Sequence, residues 1–279
     1  MNLSGRTRLL GVIGHPIGHT LSPKMHNASF AASGLDYIYV PMDVRSENLA
    51  AAVSGLRALG FRGFNVTMPH KEAILPLLDE VDEAAGITEA VNTVVVQEGR
   101  LRGTNTDGSG FVEACAESGI GFGEARVLLV GAGGTAAAIA VAILGEGARE
   151  LRMLNRSRWR AEKLRDRLLG AYPGAGISLY DATDLDGAAW GADAIVNATY
   201  LGMKNEDPLP VPLDYLGINT AVCDVVYRPG GETRFVRLAR ERGLRALPGE
   251  RMLLYQGVQA QRIWTGEEPD VRAMSDALS

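Results

Sequence analysis

Val127-Leu128-Leu129-Val130-Gly131-Ala132-Gly133-Gly134-Thr135-Ala136 is the stretch on which the fold turns. Four apolar residues in a row are what a strand buried on both faces requires, and such strands belong to parallel sheets. The glycines follow at once in the spacing G-x-G-x-x-A, which permits a tight turn and a close approach of backbone to a pyrophosphate. The Ala-rich run from about Thr135 then predicts a helix whose free N–H groups and positive dipole end meet that charge. Strand, turn and helix in this order separate a dinucleotide loop from a mere glycine-rich connection. Gly131, Ala132, Gly133, Gly134 and Thr135 are therefore its candidate cofactor-binding residues.

The next strand selects the dinucleotide, because an acidic residue at its end would bond a free ribose 2′-hydroxyl and repel a 2′-phosphate. That place holds Asn155-Arg156-Ser157, with Arg160 three residues on. Arg156 and Arg160 offer guanidinium donors to a phosphate, and Asn155 and Ser157 are neutral partners that do not oppose it. The bland alternative is a solvated helix start carrying Arg156, Arg158 and Arg160. Cations there face an unfavourable dipole, so a bound anion accounts for them better and NADP is favoured over NAD.

Outward from this loop, strands are expected at Val127–Val130, Leu151–Leu154, Ala194–Ala198 and Ala221–Val225, with crossovers long enough for a second parallel sheet. The first third reads as βαβαβα: strands at Arg8–Gly14, Tyr37–Val44 and Gly63–Met68, a helix from about Ser22, one through Leu49, Val53 and Leu56, and one begun by Pro69. Glu98-Gly99 reads as the turn of a hairpin between Ala90–Gln97 and Arg100–Thr104, and Asp107 stands at the strand-to-helix junction that follows. Gly121-Phe122-Gly123-Glu124 reads as a linker between the halves. The stretch from Met252 through Trp264 has helical spacing before Thr265-Gly266 ends it.

With 279 residues, 46% of them apolar and 22% charged, the chain has the composition of an ordinary globular protein, long enough for two domains. Lys+Arg 28 against Asp+Glu 33 gives a net charge of −5 without a basic block, which leaves nucleic-acid and membrane-surface roles nothing electrostatic to rest on. The ligand expected is a small molecule. Cys115 and Cys223 lie far apart in sequence, which argues against a disulfide scaffold or a cysteine zinc site and fits a reducing, cytoplasmic setting. The N-terminus lacks the pattern of a signal peptide.

In the first half the polar residues gather at strand ends, where open α/β sheets bind ligands: Thr20 and Ser22, then Asn65, Thr67 and Lys71, then Asn92, Asn105 and Asp107. Singly, each has a dull explanation as a cap, a turn or a solvated charge. Together they supply hydroxyls, amides, one ammonium and one carboxylate, the groups needed to hold a polyhydroxy acid and move a proton. Oxidising a secondary alcohol requires its O–H proton to leave as hydride leaves carbon, so Lys71 and Asp107 are the catalytic candidates. Which of them accepts the proton is open at this level. His15, His19, His26 and His70 do not make a metal site, since Pro16 and Gly18 break the spacing of the first two and no acidic or thiol ligand is grouped with them. No metal is expected.

At these residues the sequence resembles the shikimate dehydrogenase family over nearly its whole length. Gly14-His15-Pro16-Ile17-Gly18-His19-Thr20-Leu21-Ser22-Pro23 is similar to the family's substrate-carboxylate loop, and Asn65-Val66-Thr67-Met68-Pro69-His70-Lys71 to the segment bearing its catalytic lysine. Asn92-Thr93 and Asn105-Thr106-Asp107-Gly108 resemble the segments that contact the ring hydroxyls, the second with the catalytic aspartate. Asn197-Ala198-Thr199, Asp224-Val225-Val226-Tyr227 and Gly249 through Gln256 resemble those lining nicotinamide and substrate. The resemblance implies that Thr20, Ser22, Thr67, Lys71, Asn92, Asp107, Tyr227 and Gln256 bind substrate, and that Thr199, Val225, Gly249 and Met252 join the NADP(H) site. Thr20 stands where the family usually has Ser, Tyr200 replaces a common Ser, and Glu250-Arg251 add two charges.

The implied fold is two α/β domains. Residues 1–107 plus 252–279 would form a substrate domain with a mixed, mostly parallel sheet, and 108–251 a Rossmann-type NADP domain, with the closing helix returning to the first. The implied activity is NADPH-dependent, reversible reduction of 3-dehydroshikimate to shikimate on the route to chorismate and the aromatic amino acids, by a monomer or homodimer. The competing readings are a quinate/shikimate dehydrogenase, a non-catalytic NADP-sensing regulator of the same fold and, more remotely, a folate-linked dehydrogenase of similar two-domain shape.

Overall fold

The computed structural model describes residues 3–181, 183–228 and 231–278, which divide into two compact units: residues 1–106 with 254–279, and residues 107–253. Each is an α/β unit built on a six-stranded sheet.

The first unit runs β1 (Arg8–Gly14), α1 (Ser22–Ala32), β2 (Tyr37–Asp43), α2 (Leu49–Ala58), β3 (Gly63–Val66), β4 (Glu80–Val81), α3 (Glu83–Thr88), β5 (Thr93–Gln97) and β6 (Arg100–Thr104). The sheet order is β2-β1-β3-β5-β6-β4, with β1 parallel to β2 and β3, β5 antiparallel to β3 and β6, and β4 parallel to β6. Alternation along β1 sends Ile13 into a core with Val53, Leu56 and Phe64, and Leu10 and Val12 into one with Phe30, Tyr39 and Trp264. Both faces of the sheet are thus covered. The β5–β6 turn is made by Glu98 and Gly99, both in the left-handed region, as a two-residue hairpin of matching twist requires.

The second unit runs α4 (Asp107–Glu117), β7 (Arg126–Val130), α5 (Gly134–Gly145), β8 (Glu150–Leu154), α6 (Arg158–Ala171), β9 (Gly176–Tyr180), α7 (Leu185–Ala189), β10 (Ala194–Asn197), β11 (Ala221–Asp224), α8 (Arg234–Glu241) and β12 (Ala246–Leu247). All its strands are parallel, in the order β12-β11-β10-β7-β8-β9, so the winding reverses at β7. This is the doubly wound dinucleotide-binding order, whose ligands bind beyond the carboxyl ends of the strands at the reversal. The closing helix α9 (Gly249–Thr265) starts in this unit and ends in the first, where α10 (Val271–Asp276) follows. Trp264 of α9 takes the space that a side chain at Gly63 would fill, and its Nε1 donates to the Val94 carbonyl at 2.9 Å.

Two expectations are corrected. No α-helix starts at Pro69: the segment makes turns and a short 3₁₀ stretch at Leu75–Leu77. The Lys71 carbonyl, which a helix would give to Leu75, accepts instead from the Val91 amide at 2.8 Å, and Pro76 has no amide to continue a helical ladder. Gly121–Glu124 is not a linker. Phe122 is fully buried and stacks on Phe111 inside the second unit, with ring centroids 5.7 Å apart. Cys115 and Cys223, far apart in sequence, are both buried and unbonded with their sulfurs 3.9 Å apart. Among the described residues no helix is long and apolar enough to cross a membrane, and Val127–Gly145 is strand, turn and helix.

His26 ties α9 to α1. Its ring is wholly buried, lies 4.4 Å from the Tyr39 ring, and donates through Nδ1 to Gln261 Oε1 at 3.3 Å, while Gln261 Nε2 donates to Ser29 Oγ at 2.8 Å. Burial pushes the imidazole down from 6.5 to about 4, with the Gln261 bond opposing. The unfolded chain takes up this proton at a higher pH than the folded one. The corresponding stability is present above pH 6.5 and is lost as pH falls through 4, to about 3 kcal/mol in all. In thermal unfolding from pH 7 to pH 4, the wild-type midpoint should drop more steeply than that of His26→Phe. Equal slopes would show that His26 does not set the acid sensitivity.

Candidate active site

In the first unit the candidate residues collect at one end of the sheet, where β1 and β3 finish and β5 begins. The loops after β1 and β3 are tied by the amides of His15, donating to Met68, and Thr67, donating to Ile13, both at 2.9 Å. Thr67 also packs on Gly14, where a side chain would strike its methyl group. Thr20 Oγ1 accepts from the Ser22 amide and lies 3.3 Å from Ser22 Oγ, so the two hydroxyls share one turn. Lys71 is half-buried, and its carbonyl's bond to Val91 holds it beside Asn92 in the chain.

Asn92 is buried and fully engaged. Its Oδ1 accepts from the Thr106 amide at 2.8 Å and Thr93 Oγ1 at 2.9 Å, and its Nδ2 donates to Thr106 Oγ1 at 3.0 Å and, at 3.5 Å, to Gln256 Oε1. Beneath it Asn65 accepts from the Tyr39 hydroxyl at 2.6 Å and donates to the Asn92 carbonyl and to Thr93 Oγ1. Buried polar networks of this kind fix orientation, because any lapse leaves an unpaired group in low dielectric. The structure thus joins Asn92 to Gln256, and the roles of Tyr39, Thr93 and Thr106 in holding them were missed. The signal was faint: a polar group in each of the strands β2 and β5, and a threonine just before α4.

The histidines go elsewhere. His15 pairs with Asp43 at 2.8 Å, His19 is exposed, and buried His70 donates through Nε2 to the Val44 carbonyl at 2.6 Å. Among the described residues no three His, Cys, Asp or Glu side chains stand together as metal ligands.

In the second unit Gly131 adopts φ +123, a backbone that favours glycine, and a side chain there would come within 2.7 Å of the Ala198 carbonyl oxygen. This contact brings the loop after β7 against Thr199, whose hydroxyl donates to Asn197 Oδ1 at 2.6 Å. Beside it, Gly249 packs so closely on the Val225–Val226 backbone that a side chain would collide with the Val226 carbonyl. Met252 is buried near the start of the same helix, and Tyr227 is half-buried.

The fit to a dinucleotide can be judged from these groups. A side chain on Gly133 would meet nothing within 4 Å, which leaves open space at the first turn of α5, and no side chain caps that turn. Free amides facing open space at a helix start are what a pyrophosphate needs. Beyond β8, Asn155 Nδ2 donates to the Ser157 carbonyl at 2.8 Å, shaping the turn that begins α6, and Arg156 is exposed. Asp107, the first residue of α4, is buried, and its Oδ2 accepts from Thr135 Oγ1 at 3.3 Å. Gly108 allows this, since a side chain there would strike the Ala138 carbonyl of α5. The candidate acid-base carboxylate and the glycine loop are thereby joined within one unit.

A second buried carboxylate was missed, although its sign was visible as a charge closing the apolar strand Ala221–Asp224. Asp224 accepts from Asn197 Nδ2 at 2.8 Å, the Val226 amide at 3.0 Å and Thr233 Oγ1 at 2.6 Å, so one side chain ties the ends of β10 and β11 to the cap of α8. Burial pushes it up from 3.8 to about 6 against those three bonds, with the charge of Glu250 adding to the rise.

Family models match three stretches: the shikimate dehydrogenase substrate binding domain at residues 12–94, shikimate / quinate 5-dehydrogenase at 114–202, and the shikimate 5′-dehydrogenase C-terminal domain at 249–278. A shikimate dehydrogenase (NADP+) of Rubrobacter xylanophilus is 60% identical over 278 residues, spanning 99% of this chain and 97% of that protein. A crystal structure of shikimate dehydrogenase in complex with NADP+ superposes with a TM-score of 0.92 at 37% identity, covering 99% of this chain and 96% of the other. Another, from Thermus thermophilus with NADP(H) and shikimate, gives 0.86 at 38% identity over 97% and 98% of the two chains.

The raised Asp224 carboxyl has a stability consequence opposite in sign to that of His26. Between about pH 4 and 6 the folded chain holds a proton that the unfolded chain has released. This contribution is present below pH 3.8 and is lost as pH rises through 6, up to about 3 kcal/mol. Urea unfolding of wild type and Asp224→Asn across this range should show the variant gaining on wild type as pH rises. A difference independent of pH would mean that Asp224 does not titrate there.

Proposed function

The chain belongs to the shikimate dehydrogenase family, and from that premise we propose that it reduces 3-dehydroshikimate to shikimate with NADPH, reversibly, on the route to chorismate and the aromatic amino acids. The observation that carries the reading furthest is the bond from Thr135 to Asp107, which sets the candidate acid-base carboxylate against the first turn of the dinucleotide helix. Bound NADP(H) supplies the hydride. Gly131 to Thr135 would hold its pyrophosphate, and Asn155, Arg156, Ser157 and Arg160 its 2′-phosphate. Thr199, Val225, Gly249 and Met252 would line the nicotinamide side.

On the substrate, Thr20 and Ser22 present paired hydroxyls to the carboxylate, while Thr67, Asn92, Tyr227 and Gln256 orient the ring hydroxyls. Asn92 suits this because its own amide is locked by Thr93 and Thr106 and cannot turn to follow a misplaced ligand. Lys71 Nζ and the Asp107 carboxylate are the proton-handling pair, holding the proton that joins or leaves the reacting oxygen as the carbonyl and alcohol interconvert. The two buried, unbonded thiols suit a cytoplasmic setting.

The purified protein should oxidise shikimate with NADP faster than quinate with NAD, as followed by the absorbance of reduced nicotinamide. The reverse order would overturn the assignment of substrate and cofactor. Lys71→Ala should leave NADPH affinity nearly unchanged while lowering turnover about 100-fold or more, as loss of a general acid-base group does. An unaltered rate would remove Lys71 from the mechanism, and absence of turnover in a wild type that binds NADPH would favour a sensing role.

A further inference from the structure

We propose that Trp159 strengthens the preference for NADP(H) by presenting the Arg160 guanidinium to its 2′-phosphate, an inference that rests on the function proposed above. Three arginines crowd the start of α6, and the structure separates them by what they touch. Arg158 donates through Nη1 to both carboxylate oxygens of Asp181 at 3.1 Å and through Nε to Glu162 at 3.1 Å, so two of its three nitrogens are already engaged by carboxylates. Arg156 has no carboxylate partner among the described residues, nor has Arg160. Instead the Arg160 guanidinium carbon lies 5.3 Å from the centre of the Trp159 ring.

The difference lies in which part of the guanidinium is used. A salt bridge consumes N–H donors, whereas stacking on an indole engages the π face and leaves the edge donors free for the fork geometry that binds phosphate. Trp159 itself has no core to fill, being 62% exposed. A large aromatic left in water beside the candidate phosphate clamp, with a cation on its face, acts as a shelf that reduces the conformations open to Arg160 before the ligand arrives. Adenine stacking alone would serve NADP and NAD alike. The shelf acts only through Arg160, and therefore only where a 2′-phosphate is present.

The test is calorimetric titration of NADPH and NADH into wild type, Trp159→Ala, Trp159→Leu and Trp159→Phe, with circular dichroism confirming that each variant is folded. A cation–π contact at an exposed site predicts that Trp159→Ala weakens NADPH about two- to fivefold and leaves NADH unchanged. Trp159→Leu, apolar but without a π face, should behave as Ala does, and Trp159→Phe should recover part of the preference. Equal weakening of both cofactors, full recovery by Leu, or no change in Trp159→Ala would each overturn the proposal. A wild type that binds NADPH no better than NADH would instead sink the cofactor assignment, and this inference with it.

Discussion

The second unit depends on the close passage of Gly131 under the Ala198 carbonyl. β7 is the strand at which the winding reverses, so its loop emerges between β8 and β10 and must turn within a space bounded by backbone on the β10 side. With φ +123 and a side chain excluded, only glycine makes that turn without displacing the β10 loop. The start of α5 is fixed in consequence, which sets Thr135, and Thr135 sets its hydroxyl against Asp107. A constraint of backbone sterics is thereby carried through two side chains to the candidate acid-base group.

Buried polar groups perform the corresponding task where loops rather than strands must be held. Asn92 in the first unit and Asp224 in the second each gather bonds from three or more donors or acceptors at the carboxyl ends of strands. Neither position favours folding as an apolar residue would, since both groups give up hydration that their bonds only partly replace. Their effect is on specificity of conformation: a loop that could take several shapes has one in which every buried donor and acceptor is matched. That property is useful beside a ligand and of little use elsewhere in the core.

This division explains what could be read in the sequence. Strands β7, β10 and β11 were legible as mostly apolar runs because they are buried on both faces, and β8 despite Arg152 in its middle. β9 was not, since it lies half-exposed at the sheet's edge, and β4 and β12 are two residues long and exist only through pairing. The Pro69 helix failed because a tertiary bond claimed the Lys71 carbonyl, a competitor that local propensity cannot represent. The site residues were legible as types at strand ends, but their fixing partners were not: Tyr39 reaches Asn65 from 26 positions away and Asn197 reaches Asp224 from 27. Arg156 and Arg160 were set apart from Arg158 in the sequence, and the fold adds the physical reason, which is that Arg158 is bonded to Asp181 and Glu162.

That last distinction bears on cofactor choice through electrostatics. β8 and β9 run parallel with Leu154 opposite Tyr180, so Asn155 and Asp181, each the next residue, leave the sheet side by side. Under the proposed assignment Asn155 would spare a 2′-phosphate an acidic neighbour on its own strand, yet Asp181 would restore one from the adjacent strand. Arg158 offsets part of that opposition by closing on both Asp181 oxygens, a charge it shares with Glu162. An exposed pair of this kind adds little to stability, so its consequence lies in the local field, where it weakens a carboxylate that would oppose a phosphate. Arg156 and Arg160, which have no carboxylate partner among the described residues, are left as positive charge beside the turn after β8.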